Sequence, residues 1–305
     1  MKYTFDERTI WLNGEIFHVN DAKISILSPT AQFGLNVFEG IPCFWNEKKQ
    51  HLYAFRLEDH FKRLLKSAKL LQIDCLYSME QLKEAFSSVI KDNEYKEDIS
   101  VRQTIFVDGF GSWGSSNPVG MFIAPVPKKK TSSEYNKTGL VCCVSSWKRI
   151  SDNSFSPRIK CGANYINSRM GQREALRNGY DTCIFLNEFN HVSEGPGSCI
   201  FIVKNKMLIT PLLTDSVLES ITRDSVIKIA KEMSIECCER TIDRTELYDC
   251  DEAFLCGSAM GITSLISIDR YQLPDNTITN LLRNKYLSIA RNEDDLFDDW
   301  TYQVL

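Results

Sequence analysis

Residues 127–146 read PKKKTSSEYNKTGLVCCVSS, and they divide the chain. The first eleven, 127–137, have no apolar periodicity and combine a proline with a basic and Ser/Thr run, as a linker does. From Gly139 the letters turn apolar and β-branched, as a strand requires. A linker at 127–137 leaves a small N-terminal domain over residues 1–126 and a larger one over 138–305. At 305 residues the chain is long enough for two cores, given roughly 100 to 200 residues per domain.

Upstream of the linker, residues 56–72 (RLEDHFKRLLKSAKLLQ) place Leu57, Phe61, Leu64, Leu65, Ala68 and Leu71 at helical spacing. A second helix is predicted over 78–91, followed by strands at 100–107 and 120–126. Downstream, strands are predicted at 140–145, 182–186, 199–203, 207–210 and 252–256, with helices at 163–178 and 222–234. The fold class is therefore α/β, in the looser α+β sense. No repeat of 20 to 50 residues is visible, which excludes solenoids and propellers.

Composition removes several functions. Hydrophobic residues make up 43% and charged residues 25%, so the chain is expected to fold rather than remain disordered. Lys plus Arg total 36 against 40 Asp plus Glu, a net charge of -4, with no basic block to track phosphates, so nucleic acid is not expected as a partner. There is no apolar run of signal-peptide or membrane-spanning kind, and the eleven cysteines include no C-x-x-C pair. Reduced core cysteines, such as Cys142, Cys143, Cys183 and Cys199, and a cytoplasmic location are expected. The four histidines, His18, His51, His60 and His191, make no metal-binding pattern, so no metal is expected. Residues 109–114, GFGSWG, match G-x-G-x-x-G in form. Ser115, Ser116, Asn117 and Pro118 follow, so no helix can open where a dinucleotide needs one.

Three segments of the second half suggest a ligand. LESITRD (218–224) opens a helix, with Thr222 as candidate cap and amides left over at that end. EAFLCGSAMGI (252–262) is a strand entering a small-residue turn at Gly257, Ser258 and Ala259. NHVSEGPGSCIFIV (190–203) sets Glu194 before a Gly-Pro-Gly turn. Taken singly, a capped helix, a strand-end turn and a hairpin account for the same letters.

Taken together, in this order and with RIKCGANYINS (158–168), they resemble the branched-chain aminotransferases, members of the fold-type IV (class IV) family of pyridoxal-phosphate enzymes. The resemblance runs along nearly the whole chain: WLNGE at 11–15, FGLNVFEGI at 33–41, FRLEDHFKRL at 55–64, VRQTIF at 101–106 and VSSW at 144–147. It implies a fold-type IV enzyme of two domains with pyridoxal 5'-phosphate in the cleft between them, moving an amino group between an amino acid and a 2-keto acid. It also implies a homodimer.

By the same resemblance, Lys160 is the catalytic lysine that carries the cofactor, and Glu194 partners the pyridine nitrogen. Arg56, Ile221, Thr222 and Ser258 hold the phosphate, and Tyr165 lies near the phenolic oxygen. Phe33, Phe38, Ser100, Arg102, Ser258 and Ala259 form the substrate set, with Arg102 receiving the distal carboxylate of glutamate. The chain departs from the branched-chain pattern at Phe33 and Ser100, where tyrosines are usual. Pro125, Val126 and Pro127 stand where a tryptophan is usual, and Glu219 and Ser220 replace a Pro-Gly pair. Leucine, isoleucine and valine are therefore expected to be weaker substrates than the family name suggests. An aminodeoxychorismate lyase, a D-amino acid aminotransferase, a specialised enzyme for an unusual amino acid and a non-catalytic cofactor-binding scaffold remain as alternatives. Retention of Lys160 and Glu194 speaks against the scaffold.

Overall fold

The computed structural model describes residues 7–128 and 139–305. The expected linker thus lies outside the described residues except for Pro127 and Lys128. The chain forms two compact units. The first comprises residues 7–128, Ile159–Ala163 and Ser288–Leu305, and the second residues 139–158 and Asn164–Leu287. The sequence reading gives everything after residue 138 to the second domain. Backbone pairing draws two stretches to the first unit instead: Val37 bridges Cys161, and strand β16 (Thr301–Gln303) pairs with residues 53–55.

The first unit is a seven-stranded antiparallel sheet made of β1 (Thr9–Leu12), β2 (Glu15–His18), β3 (Asn36–Asn46), β4 (His51–Phe55), β5 (Ile99–Val107), β6 (Val119–Pro127) and β16. Its order is β16-β4-β3-β5-β6-β1-β2. Helix α1 (Pro29–Phe33) is short. Helix α2 (Leu57–Leu70) packs on β3, and α3 (Met79–Asn93) on β1 and β6. Strand periodicity decides which side chains meet the helices. Val37, Glu39, Ile41 and Cys43 alternate onto one face of β3 and are fully buried, as are Val101, Gln103 and Ile105 on β5. The helices answer with Phe61, Leu64, Leu82 and Phe86, and the Phe61 and Phe86 rings meet edge-on at 6.0 Å. Each such side chain contributes about 1.5–3 kcal/mol when buried. The opposite face carries Phe38, Ser100, Arg102, Thr104 and Phe122, in register across β3, β5 and β6. A slip of one residue would exchange the two faces, so the core fixes which residues the open face presents.

Both expected helices of this unit are present. Ser78 caps α3 in a reciprocal box with Gln81. Arg56 begins α2 as its N-cap in the left-handed region, φ 50°. The loop containing residues 109–114 runs directly into β6 with no helix after it, which removes the dinucleotide reading.

The second unit is a mixed sheet built from β7 (Leu140–Lys148), β8 (Thr182–Leu186), β9 (Glu194–Gly195), β10 (Ser198–Lys204), β11 (Met207–Thr210), β12 (Cys237–Glu239), β13 (Glu252–Gly257), β14 (Gly261–Ile268) and β15 (Tyr271–Gln272). The main path is β12-β11-β10-β13-β14-β7-β8, with β9 beside β10 and β15 beside β14. Helix α4 (Asn164–Arg177) lies on β7 and β8. Gly171 allows that approach, because a Cβ there would stand 2.4 Å from the Phe185 ring. Helix α5 (Ile221–Glu232) packs on β13, and α6 (Thr277–Ala290) begins with its Ile278 and Thr279 amides on the buried Glu252 carboxylate, both at 2.8 Å.

The cap expected at Thr222 is Ser220 instead. Ser220 is extended and its hydroxyl accepts from the Arg223 amide at 3.2 Å, which puts Thr222 inside the first turn. All eleven cysteines are free thiols and eight are buried, Cys142, Cys143, Cys183 and Cys199 among them. Among the described residues no helix is long and apolar enough to cross a membrane.

Candidate functional site

In the first unit Lys160 follows an irregular stretch and is held by its main chain. Its carbonyl accepts from the Phe38 amide of β3 at 2.9 Å, and its amide donates to the Ser67 hydroxyl of α2 at 3.2 Å. The Gly162 amide donates to Asn36 Oδ1 at 3.2 Å, which carries the clamp two residues further. Lys160 Nζ stands over the Phe38 ring, 5.1 Å from its centre. The Arg102 guanidinium stands over the same ring at 3.9 Å. An amine and a guanidinium therefore share one aromatic platform. Phe38 and Arg102 line a pocket of about 370 Å³ with Asn36, Thr104, Phe106 and Phe122. Of the other two substrate residues expected here, Ser100 shares the face of Arg102 but does not line that pocket. Phe33, at the end of α1, is 45% exposed and does not line it either.

Arg56 is buried. Its amide donates to the Trp300 carbonyl at 2.6 Å, its guanidinium lies 4.9 Å from the Trp300 ring, and Nε reaches Asp59 Oδ2 at 2.7 Å. The segment 288–305 covers Arg56.

Beneath this face lies a cluster that sequence reasoning missed. Glu39 is fully buried and takes Arg63 Nε and Nη2 at 2.7 Å each, with His60 Nδ1 2.7 Å from Oε2. Burial alone would raise the Glu39 carboxyl, but the charge and hydrogen bonds of Arg63, with those of His60, hold it well below the usual carboxylate range. Burial lowers the His60 imidazole against its hydrogen bond to Glu39, and the charges of Arg63 and Lys160 lower it further. No signal in the sequence marks it, because the strand that buries Glu39 carries a glycine and a proline and its partners lie 21 and 24 positions away.

In the second unit Glu194 opens β9 and is buried. One oxygen accepts from Arg149 Nε at 2.8 Å, and the other from the Leu218 amide at 3.1 Å, with the Cys199 thiol at 3.9 Å. Arg149 is also held by Asn167 Oδ1 at 3.1 Å. Neither Arg149 nor Asn167 was singled out by the sequence. Ile221 and Thr222 occupy the first positions of α5, at the positive end of the helix dipole. Ser258 and Ala259 form the turn of the β13–β14 hairpin, closed by Gly257 opposite Gly261. A Cβ on Gly257 would stand 3.1 Å from the Gly197 carbonyl, so the Gly-Pro-Gly turn and this hairpin approach closely enough to crowd any larger residue there. Tyr165 lies in the first turn of α4 beside Gly197.

Residues 36–268 match the family model described as amino-transferase class IV. The chain belongs to the class IV aminotransferases. This aminotransferase is 33% identical, over 100% of its length and 99% of the other's, to a probable branched-chain-amino-acid aminotransferase of Aquifex aeolicus (strain VF5). Among solved structures it is similar to a branched-chain aminotransferase from Thermoproteus uzoniensis with norvaline, at TM-score 0.93 and 37% identity, covering 98% and 99% of the two chains. It is also similar to the branched-chain amino acid aminotransferase from Thermobaculum terrenum in its PLP-form, at TM-score 0.93 and 36% identity, covering 98% and 99%. Its reaction class is amino-group transfer between an amino acid and a keto acid, dependent on pyridoxal phosphate.

Proposed function

We propose that Lys160 carries the cofactor and that Arg56, Tyr165, Glu194, Ile221, Thr222 and Ser258 bind it. The residues present fit pyridoxal phosphate. Its phosphate needs a guanidinium and dipoles: the first unit has the Arg56 guanidinium and the second, by itself, has the amides at the start of α5. Its pyridine nitrogen needs a buried carboxylate, and Glu194 is one. When bound, pyridoxal phosphate supplies a carbonyl for amines and a ring that takes up electrons from the substrate's α-carbon.

The chain's own groups do the rest. Lys160 Nζ moves the proton at the α-carbon, as base and then as acid. Arg102 orients a substrate's distal carboxylate, while Phe38, Phe106 and Phe122 give an apolar side chain a wall. The Ser258 and Ala259 amides hold the α-carboxylate. The amino acid is L-glutamate or a branched-chain or related amino acid, its partner is a 2-keto acid, and the enzyme is a cytoplasmic homodimer or higher homo-oligomer. Phe110 and Trp113, more than three-quarters exposed on the β5–β6 loop, give a second copy apolar surface to cover.

The single observation that carries this reading is the pairing of Lys160 Nζ and Arg102 over one ring. Borohydride reduction of the protein mixed with pyridoxal phosphate, followed by peptide mapping, should find the label on Lys160. A label on any other lysine overturns the assignment.

A further inference from the structure

Glu39, His60 and Arg63 take no part in the chemistry described above, yet three features distinguish them from an ordinary helix–strand contact. A buried ion pair is a poor stabiliser, since desolvation commonly matches what the charges gain and apolar side chains of similar volume hold as well. His60 Nε2 is buried without a hydrogen-bond partner, a defect that an apolar residue would not have. The third feature is where the cluster sits. It ties β3 to α2, and those are the two elements that grip Lys160. Phe38, the neighbour of Glu39 on β3, donates to the Lys160 carbonyl. Ser67, one turn beyond Arg63 on α2, accepts from the Lys160 amide. The His60 amide also donates to the Arg56 carbonyl at 3.2 Å, so the same helix turn holds the arginine assigned to the phosphate.

We propose that Glu39, His60 and Arg63 are positioning residues for Lys160, a buried ionic staple that sets the gap between β3 and α2 across which the Lys160 peptide is clamped. The proposal rests on the assignment of Lys160 to the cofactor. Charge-assisted hydrogen bonds are short and directional, so they fix a separation that non-directional apolar packing leaves free to slide. A bidentate Arg63–Glu39 pair also resists rotation of α2 about its own axis, which would carry Ser67 away from Lys160.

The test compares wild-type enzyme, Glu39→Gln and the all-apolar triple variant Glu39→Met/His60→Leu/Arg63→Met, each loaded with pyridoxal phosphate. The triple variant leaves no uncompensated buried charge and keeps the question answerable where Glu39→Gln does not fold. Val89→Ala, a cavity in α3 away from Lys160, controls for lost stability. Three quantities are read: thermal midpoint, kcat and KM for the amino donor, and visible circular dichroism per bound cofactor, which reports how the cofactor is oriented. Both staple variants should lose roughly 10- to 100-fold in kcat with KM unchanged, the scale of an ångström's misplacement, and their visible dichroism should fall. Val89→Ala should melt lower with kcat and dichroism intact. Staple variants that melt lower but keep wild-type kcat and dichroism overturn the proposal and reduce the cluster to a structural contact. Wild-type enzyme whose borohydride-fixed cofactor lies elsewhere overturns the Lys160 assignment itself, so the two failures are told apart.

Discussion

Arg102 and Lys160 stand over the same ring but have separable work. Arg102→Ala should raise KM for glutamate by about tenfold or more and change apolar donors far less, since only glutamate offers a distal carboxylate. Steady-state constants for glutamate and leucine decide it, and equal losses for both would remove Arg102 from its role. Glu194→Gln should leave cofactor bound but slow the proton-transfer step by at least about tenfold, or about 1.4 kcal/mol, because an amide cannot hold a proton on the ring nitrogen. A single-turnover rate equal to wild type would make Glu194 a turn residue. Lys160 and Glu194 can be put forward from the sequence because the residues that single out each are its covalent neighbours, KCGANY and SEGPG. Arg149 and the Glu39 partners have no such neighbours to mark them. Glu194 meets Arg149 across 45 positions, and Glu39 meets His60 and Arg63 across 21 and 24, and no local pattern encodes such a pairing.

At the scale of elements, α2 and α3 were readable because one face of each is apolar at helical spacing, and β5 and β8 because they are compact β-branched runs between turn signals. Strand β3 was not, although it carries the platform ring. Its letters NVFEGIPCFWN include a glycine, a proline and a buried glutamate, each unfavourable in a central strand, and only pairing with β4 and β5 makes it one. The cap of α5 is misread for a similar reason, since Ser220 and Thr222 are equally good letters and backbone geometry chooses between them. Ser220→Ala should therefore cost about 0.5–2 kcal/mol and Thr222→Ala should spare the cap. Thermal denaturation measures that difference. The same change should weaken pyridoxal phosphate retention, because loosening the first turn moves the Ile221 and Thr222 amides.

Across the whole molecule, acid should act early. His60 is depressed in the folded state, so the unfolded chain binds its proton first, and stability falls as pH drops below the ordinary imidazole value near ~6.5. Glu39 is also depressed, so its contribution is complete above the ordinary carboxylate value near ~4 and is lost as pH falls below that. Urea midpoints between pH 8 and 3 should decline in two stages, and His60→Leu should remove the first. Ending the chain at residue 299 should expose β4 as an edge and strip Arg56 of its Trp300 partners, lowering both the thermal midpoint and cofactor retention. The assignment of residues 288–305 to the first unit also bears on synthesis. A ribosome makes most of that unit first, but the strand that closes its sheet comes after the whole second unit has been translated. At roughly 5–20 residues per second, the six strands already made wait on the order of 10 s with one edge of β4 unpaired. For that interval the nascent chain offers a bare strand edge to any chaperone or neighbouring chain, and the unit begun first is the one completed last.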